Sequence, residues 1–258
     1  MHHPPLRGRC PLRALFTWKL DPTACRRVIP APLRPKVIRG HAVGVVDCMR
    51  IVGLRPRLMP RPLGLTMEIA SHLIVAEWMD QGQLRNVLYV MRRDVQVRRL
   101  GRAAGLLLPG HPYPAKVRLD DEAHGLRFAL ASNDGHCQLD LDARVTDHWE
   151  HQDLFVGPPY LIRMLGNRSG GFLGFDEQGH GSLVELDAQP EHITPLSVGR
   201  AHSSLFTGAA FPAGTSIPDA AVMQRDLICR WTSRGKVLRA TDPALALQTQ
   251  DLREPSPA

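Results

Sequence analysis

Residues 87–117 read VLYVMRRDVQVRRLGRAAGLLLPGHPYPAKV, a run that holds a strand, an Arg-Arg-Asp triplet, a glycine-punctuated turn, a Pro-Gly-His-Pro loop and a second strand. Val87, Tyr89 and Met91 alternate with Leu88, Val90 and Arg92, so both faces stay apolar until charge arrives, as in a strand buried on both sides. Arg92, Arg93 and Asp94 then stand where the strand leaves the core, a usual place for a site on a rigid scaffold. Beyond the loop, Ala115, Val117 and Leu119 alternate with Lys116, Arg118 and Asp120, which predicts a strand with one charged face.

Working outward, residues 65–78 (LTMEIASHLIVAEW) predict a long strand carrying Glu68, His72 and Glu77, and Asp80-Gln81-Gly82 marks the turn into the central run. On the other side, Leu126, Phe128 and Leu130 form a partner strand and Asn133-Asp134-Gly135 signals a hairpin. The strand after it puts Cys137, Leu139 and Leu141 on one face and His136, Gln138 and Asp140 on the other. Residues 12–20 and 41–52 read as further strands. Asp21 at an N-cap with Pro22 behind it starts a short helix through Ile29, which Pro30, Pro32 and Pro35 end. Pro158-Pro159 opens a second helix, with Leu161, Ile162 and Leu165 on its apolar side and Gly166 as its stop. Strands follow around 171–175 and 182–187; residues 195–206 suggest another, and residues 220–231 read equally as helix or strand. Many short strands with frequent turn signals and few helices predict a mainly β protein built as a curled sheet or barrel.

With 43% hydrophobic residues in 258, the chain can fill the core of one large β domain. Residues 1–10 and 239–258, rich in Pro and polar residues, are expected to be disordered, leaving residues 11–238 as the folded domain. The net charge is +7, yet only four of the 32 basic residues are lysines, and the arginines are scattered without a helix-turn-helix or zinc finger, so nucleic acid is not expected as a partner. Five cysteines without a CxxC argue against a disulfide framework or a zinc ribbon and for reduced thiols in a cytoplasm. No apolar run approaches the ~18 residues of a membrane span, and no membrane partner is expected. His148, Glu150 and His151 lack the spacing of a complete ligand set, the glycines at 170, 171 and 174 do not lead a strand into a helix, and Ser203 and Ser204 beside His202 lack a nucleophile elbow. No metal, cofactor or serine-hydrolase site is expected from these segments.

The runs LDPTACRRVIPAPLRP (20–35), LGLTMEIASHLIVAEW (63–78), VMRRD (90–94) and LLPGHPYPAKV (107–117), then HSSLF (202–206), FPAG (211–214), Asp219, Met223 and Trp231, appear in an order that resembles a bacterial family within the acetoacetate decarboxylase-like superfamily. The resemblance covers residues 11–235. It implies a cone-shaped, mostly antiparallel β-barrel with a few peripheral helices and an interior pocket. It also implies amine chemistry: acetoacetate decarboxylase forms a Schiff base through a lysine in a Pro-Lys-Lys loop. The matching loop here is Pro109-Gly110-His111, so Gly110 and His111 stand where the lysine pair would be. Glu68 matches a glutamate of the decarboxylase site, and Arg13 lies near its N-terminal arginine.

Four groups are candidates. Lys116 is either a displaced Schiff-base lysine or a solvated strand lysine. His111 is either a general acid or base or a loop histidine bonded to backbone. Arg92 and Arg93, with Asp94, either hold a substrate carboxylate or form an internal ion pair; Glu68 is a base or an arginine's partner. The expected ligand is a small oxo or carboxylic acid, bound or transformed by a decarboxylase-like lyase or hydrolase. The alternatives are a non-catalytic barrel that binds a small ligand and a structural, partner-binding protein. Association with further copies of the chain stays open.

Overall fold

The computed structural model describes residues 5–97, 111–122, 124–149, 154–165, 171–176, 178–188 and 192–240. Strand β1 (Leu6–Leu20) leads into helix α1 (Pro22–Val28), and two short strands, β2 (Arg34–Pro35) and β3 (Val37–Ile38), precede β4 (His41–Pro56), β5 (Leu65–Asp80) and β6 (Gln83–Val97). Then come β7 (Pro112–Glu122), β8 (Gly125–Ser132), β9 (Gln138–Val145), helix α2 (Pro158–Leu165), β10 (Phe172–Phe175), β11 (His180–Ala188), β12 (Thr194–Ser203), helix α3 (Ser204–Thr207) and β13 (Ser216–Arg239). Helix α1 is capped as its sequence dictates: Asp21 accepts from the backbone N–H of Thr23 and Ala24 at 2.7 and 2.8 Å, with Pro22 in the first turn.

Five long strands, in the order β13-β1-β4-β5-β6, make a wall. At one edge β6 pairs with β7 through Arg93–Val95 and with β10 through Leu88–Tyr89. At the other edge β13 pairs with β12 near Met223 and with β11 further along. The path β6-β7-β8-β9-β12-β13 therefore closes one ring, and β6-β10-β11-β13 closes another on the same wall. Closure pairs both edge strands of the wall, β6 and β13, over part of their length. Most pairings are antiparallel, as expected for a barrel of this kind. The exceptions, β6 with β7 and β6 with β10, are parallel, and each needs a long connection rather than a hairpin.

Side-chain alternation gives the wall two buried faces. On β1, Leu12, Ala14, Phe16, Trp18 and Leu20 join one apolar cluster, with Leu126, Phe128 and Leu130 of β8 and Leu139 and Leu141 of β9. Leu6, Cys10 and Leu15 join a second, with Leu161 and Leu165 of α2 and Val184 and Leu186 of β11.

Three expectations change. Residues 6–10 belong to β1, with Leu6, Gly8 and Cys10 buried and Arg7 and Arg9 exposed; their period of two suits a strand in spite of the prolines before it. Residues 220–231 are strand, inside β13. Residues 195–206 divide into strand β12 and helix α3. Gly166, Gly170, Glu150, His151 and the tail beyond residue 240 lie outside the described residues, as do Pro109 and Gly110.

Candidate functional site

Strand β6 carries its charges on two faces by simple alternation, and a bulge decides which charge takes which face. His72 pairs with Arg92 and Leu73 with Val90, so Met91 is an extra residue on β6. Before it, Val87 and Tyr89 face the first apolar cluster; after it, Arg92 and Asp94 do, while Arg93 and Val95 face the second.

On the first face, Arg92 donates to both oxygens of Asp94 at 2.8 to 3.0 Å and to both of Asp134, in the β8–β9 turn, at 2.8 and 2.9 Å. Its guanidinium carbon lies 3.9 Å from the centroid of the Tyr113 ring. Burial works against this charge, but the hydrogen bonds and charges of Asp94 and Asp134 outweigh it and hold Arg92 above its ordinary range. Burial raises Asp94, with Arg92 acting the other way. Asp134 is held at about 2: its own desolvation is overcome by hydrogen bonds from Ser132, Arg92 and the His136 N–H. His72 Nε2 lies 2.9 Å from Ser203 Oγ, and burial, then the charge of Arg92, lowers the imidazole to about 3. Burial and the Asp94 carboxylate raise the Cys137 thiol. His72, Asp94 and Cys137 each bring a donor atom within 4.8 Å of the other two, a set able to hold a metal ion.

A polar row crosses the second face. Gln224 of β13 lies opposite Arg13 of β1, Asp47 of β4 opposite Ser71 of β5, and Ser71 opposite Arg93 of β6. Arg13 grips Asp47 through Nε (3.1 Å) and Nη2 (2.7 Å). Arg93 Nε donates to Ser71 Oγ at 3.1 Å. All five residues are buried. Desolvation of Arg13 is outweighed by Asp47, whereas burial lowers Arg93 to about 10 and the more distant Asp47 offsets only part of that. The Gln224 side-chain oxygen is buried with no hydrogen-bond partner among the described residues.

The expected site residues do not converge on one point. Arg92 and Asp94 form the internal ion pair, and Arg93 faces the opposite way. Glu68 is 1% exposed and accepts from Arg50 Nε at 3.2 Å, the arginine-partner reading of that residue. Its β6 neighbour Gln96 accepts from the Val117 N–H. His111 is exposed, 5.0 Å from the Tyr113 ring and so one ring removed from Arg92. Lys116 is exposed on the outer face of β7, opposite the buried Ala115. The chain's four lysines, Lys19, Lys36, Lys116 and Lys236, are all at least partly exposed, so none has the desolvated setting that would turn it into an amine nucleophile.

The sequence reading placed Asp47, His72, Asp134 and Cys137 in strands or turns without chemistry. For Asp47 and His72 a polar residue inside an apolar run is the available signal; Asp134 and Cys137, in and beside a polar turn, offer none. Ser203 is buried and His202 exposed, the opposite faces expected of strand neighbours.

No family model matches the sequence, and no curated protein does. Solved structures match most of its length. The enduracididine biosynthesis enzyme MppR with HEPES buffer bound superposes with a TM-score of 0.58 at 14% identity, covering 93% of this chain and 89% of that one. Acetoacetate decarboxylase from Legionella pneumophila gives 0.57 at 11% identity, covering 93% and 90%. An acetoacetate decarboxylase-like enzyme from Sphingomonas wittichii gives 0.54 at 14% identity, covering 91% and 92%. The chain has the acetoacetate decarboxylase-like fold. On this acetoacetate decarboxylase-like barrel the wall of long strands offers two polar clusters, one on each face, and no buried lysine on either.

Proposed function

We propose that the protein binds a small oxo or carboxylic acid on the barrel face that carries Arg13, Asp47, Ser71 and Arg93, and that it does so without a Schiff base. The observation that carries this reading is the pair of buried guanidinium groups, Arg13 and Arg93, set on one face around Asp47. Asp47 is gripped by Arg13, and Arg93 brings to the same face a second guanidinium, a group whose planar fork matches a carboxylate. A bound anion there would offset the burial that depresses Arg93. Another protein of this fold, MppR, has been seen complexed with pyruvate. Arg92 and Asp94 support the site from the far side of the wall, Glu68 serves the Arg50 ion pair, and Lys116 and His111 take no part.

The at least partial exposure of every lysine favours ligand binding, or a reaction other than amine catalysis. Calorimetry with pyruvate, acetoacetate and acetate tests both halves of the proposal. Losing a charge-assisted contact of about 1.5–3 kcal/mol should weaken binding of the preferred acid roughly 10- to 100-fold in Arg93→Gln. Equal affinity in the two proteins, or no binding by the wild type, would remove the site. A borohydride-stable adduct on any lysine would overturn the absence of a Schiff base.

A further inference from the structure

We propose that His72, Asp94 and Cys137 form a binding site for a single divalent cation of the zinc class, on the face of the wall opposite the Arg13–Arg93 row. The ligands come from three segments, β5, β6 and the residue just before β9, and all three side chains are fully buried. Their donor atoms lie within 4.8 Å of one another, close enough for one ion to draw them to tetrahedral bond lengths of about 2.0–2.3 Å.

The surroundings complete the set. His72 Nε2 is engaged by Ser203 Oγ at 2.9 Å, which fixes the ring as the outer partners of metal-bound histidines do. Nδ1 is buried and without a hydrogen-bond partner among the described residues. With Nε2–H donated to Ser203, Nδ1 carries the lone pair and is the coordinating atom. An orphaned buried nitrogen calls for an explanation, and a cation supplies one.

Asp94 is oriented by Arg92, and the charge of Arg92 is also met by Asp134. The arginine is thus neutralised from the β8–β9 turn, and the Asp94 charge remains for the ion. A divalent cation with one carboxylate, one thiolate and a neutral imidazole is neutral overall, the state an apolar interior tolerates. Binding forms the sulfur–metal bond and releases the Cys137 thiol proton to solvent. Sulfur and imidazole select zinc or cobalt over magnesium or calcium. Three protein ligands leave a fourth position for water or a substrate oxygen.

The competing arrangement is a thiol hydrogen-bonded to Asp94 with no ion. To separate them, the full chain is refolded from denaturant with cobalt(II) or zinc(II), desalted, and analysed for metal content and absorption. Expected are one cobalt per chain, a thiolate-to-cobalt charge-transfer band, its loss in Cys137→Ser and its survival in Cys25→Ser. Zinc should raise the melting temperature of the wild type. Should Cys137→Ser fail to fold, X-ray absorption on the wild-type zinc form should show one sulfur among nitrogen and oxygen donors. A refolded wild type with native circular dichroism that retains no metal would overturn the site. So would metal bound without sulfur ligation, or a band that persists in Cys137→Ser.

Discussion

Arg92 and Arg93 are neighbours in sequence and belong to different interiors. Strand neighbours point to opposite faces; the extra residue, Met91, decides which of the two arginines meets which interior, because it shifts the phase of the side chains that follow. Arg92 is tied by two carboxylates and a tyrosine ring; Arg93 donates to Ser71, and burial lowers it. The buried ionisable groups around Arg92 also set a pH dependence. His72 has a folded value of about 3 against about 6.5 in an unfolded chain. The stability gained by keeping it neutral is therefore complete above about pH 6.5 and is lost as the pH falls toward 3. Asp134, at about 2 when folded against about 3.9 unfolded, contributes above pH ~4 and loses that contribution as the pH falls through 2. Denaturant unfolding in a chelating buffer should show wild-type stability falling by up to about 1.4 kcal/mol per pH unit between pH ~6 and ~4, with a flatter profile in His72→Gln. Parallel profiles would mean that His72 is not the group responsible.

At the scale of elements, the β8–β9 turn holds the outer end of the Arg92 network. Asp134 accepts from Ser132 Oγ at 2.6 Å and from the His136 N–H at 3.1 Å, and Gly135 completes the turn at φ 75°. A Cβ at Gly135 would meet no atom within 4 Å, so Gly135→Ala adds backbone strain alone. Its cost should be about 1 kcal/mol, read as a lower denaturant midpoint with an unchanged slope; a stability equal to the wild type would show that the turn relaxes without loss. The turn itself was legible, since Asn-Asp-Gly between alternating strands has few other uses. Its role as the partner of Arg92 was not, because that contact spans 42 positions of sequence.

Across the whole molecule, the first and last described strands are neighbours. β1 pairs with β13 from Leu6 opposite Trp231 to Leu20 opposite Ser216, and with β4 on its other side. Residues 6–10, part of the segment expected to be disordered, therefore complete the wall. Removing residues 1–10 should unpair the end of β13, uncover Leu227 and Trp231, both buried, and lower the melting temperature by several degrees, of the order expected for ~1–3 kcal/mol. A truncated chain that melts with the full one would show that this end of the wall contributes nothing. Ring closure also explains why so many charges are buried: a wall covered on both faces leaves polar side chains in mid-strand no route to water, and they must find each other.

What the amino-acid sequence determined by itself is what depends on near neighbours. The period of two along residues 115–120 and 126–145, the Asp21-Pro22 start of α1, the proline stops after it and the glycine turn at 133–135 are all local, and the mainly β class follows from them. The order of short motifs was sufficient to point to the acetoacetate decarboxylase-like fold. Tertiary structure alone decided which face each charge meets. The register of β5 against β6, the bulge at Met91 and the closure of two rings on one wall are non-local. They sent Arg93 to Ser71 and Asp47, Arg92 to Asp134, and His72 to Cys137 and Ser203. A strand pattern shows that a side chain points inward, but only the pairing of distant strands determines what it meets there.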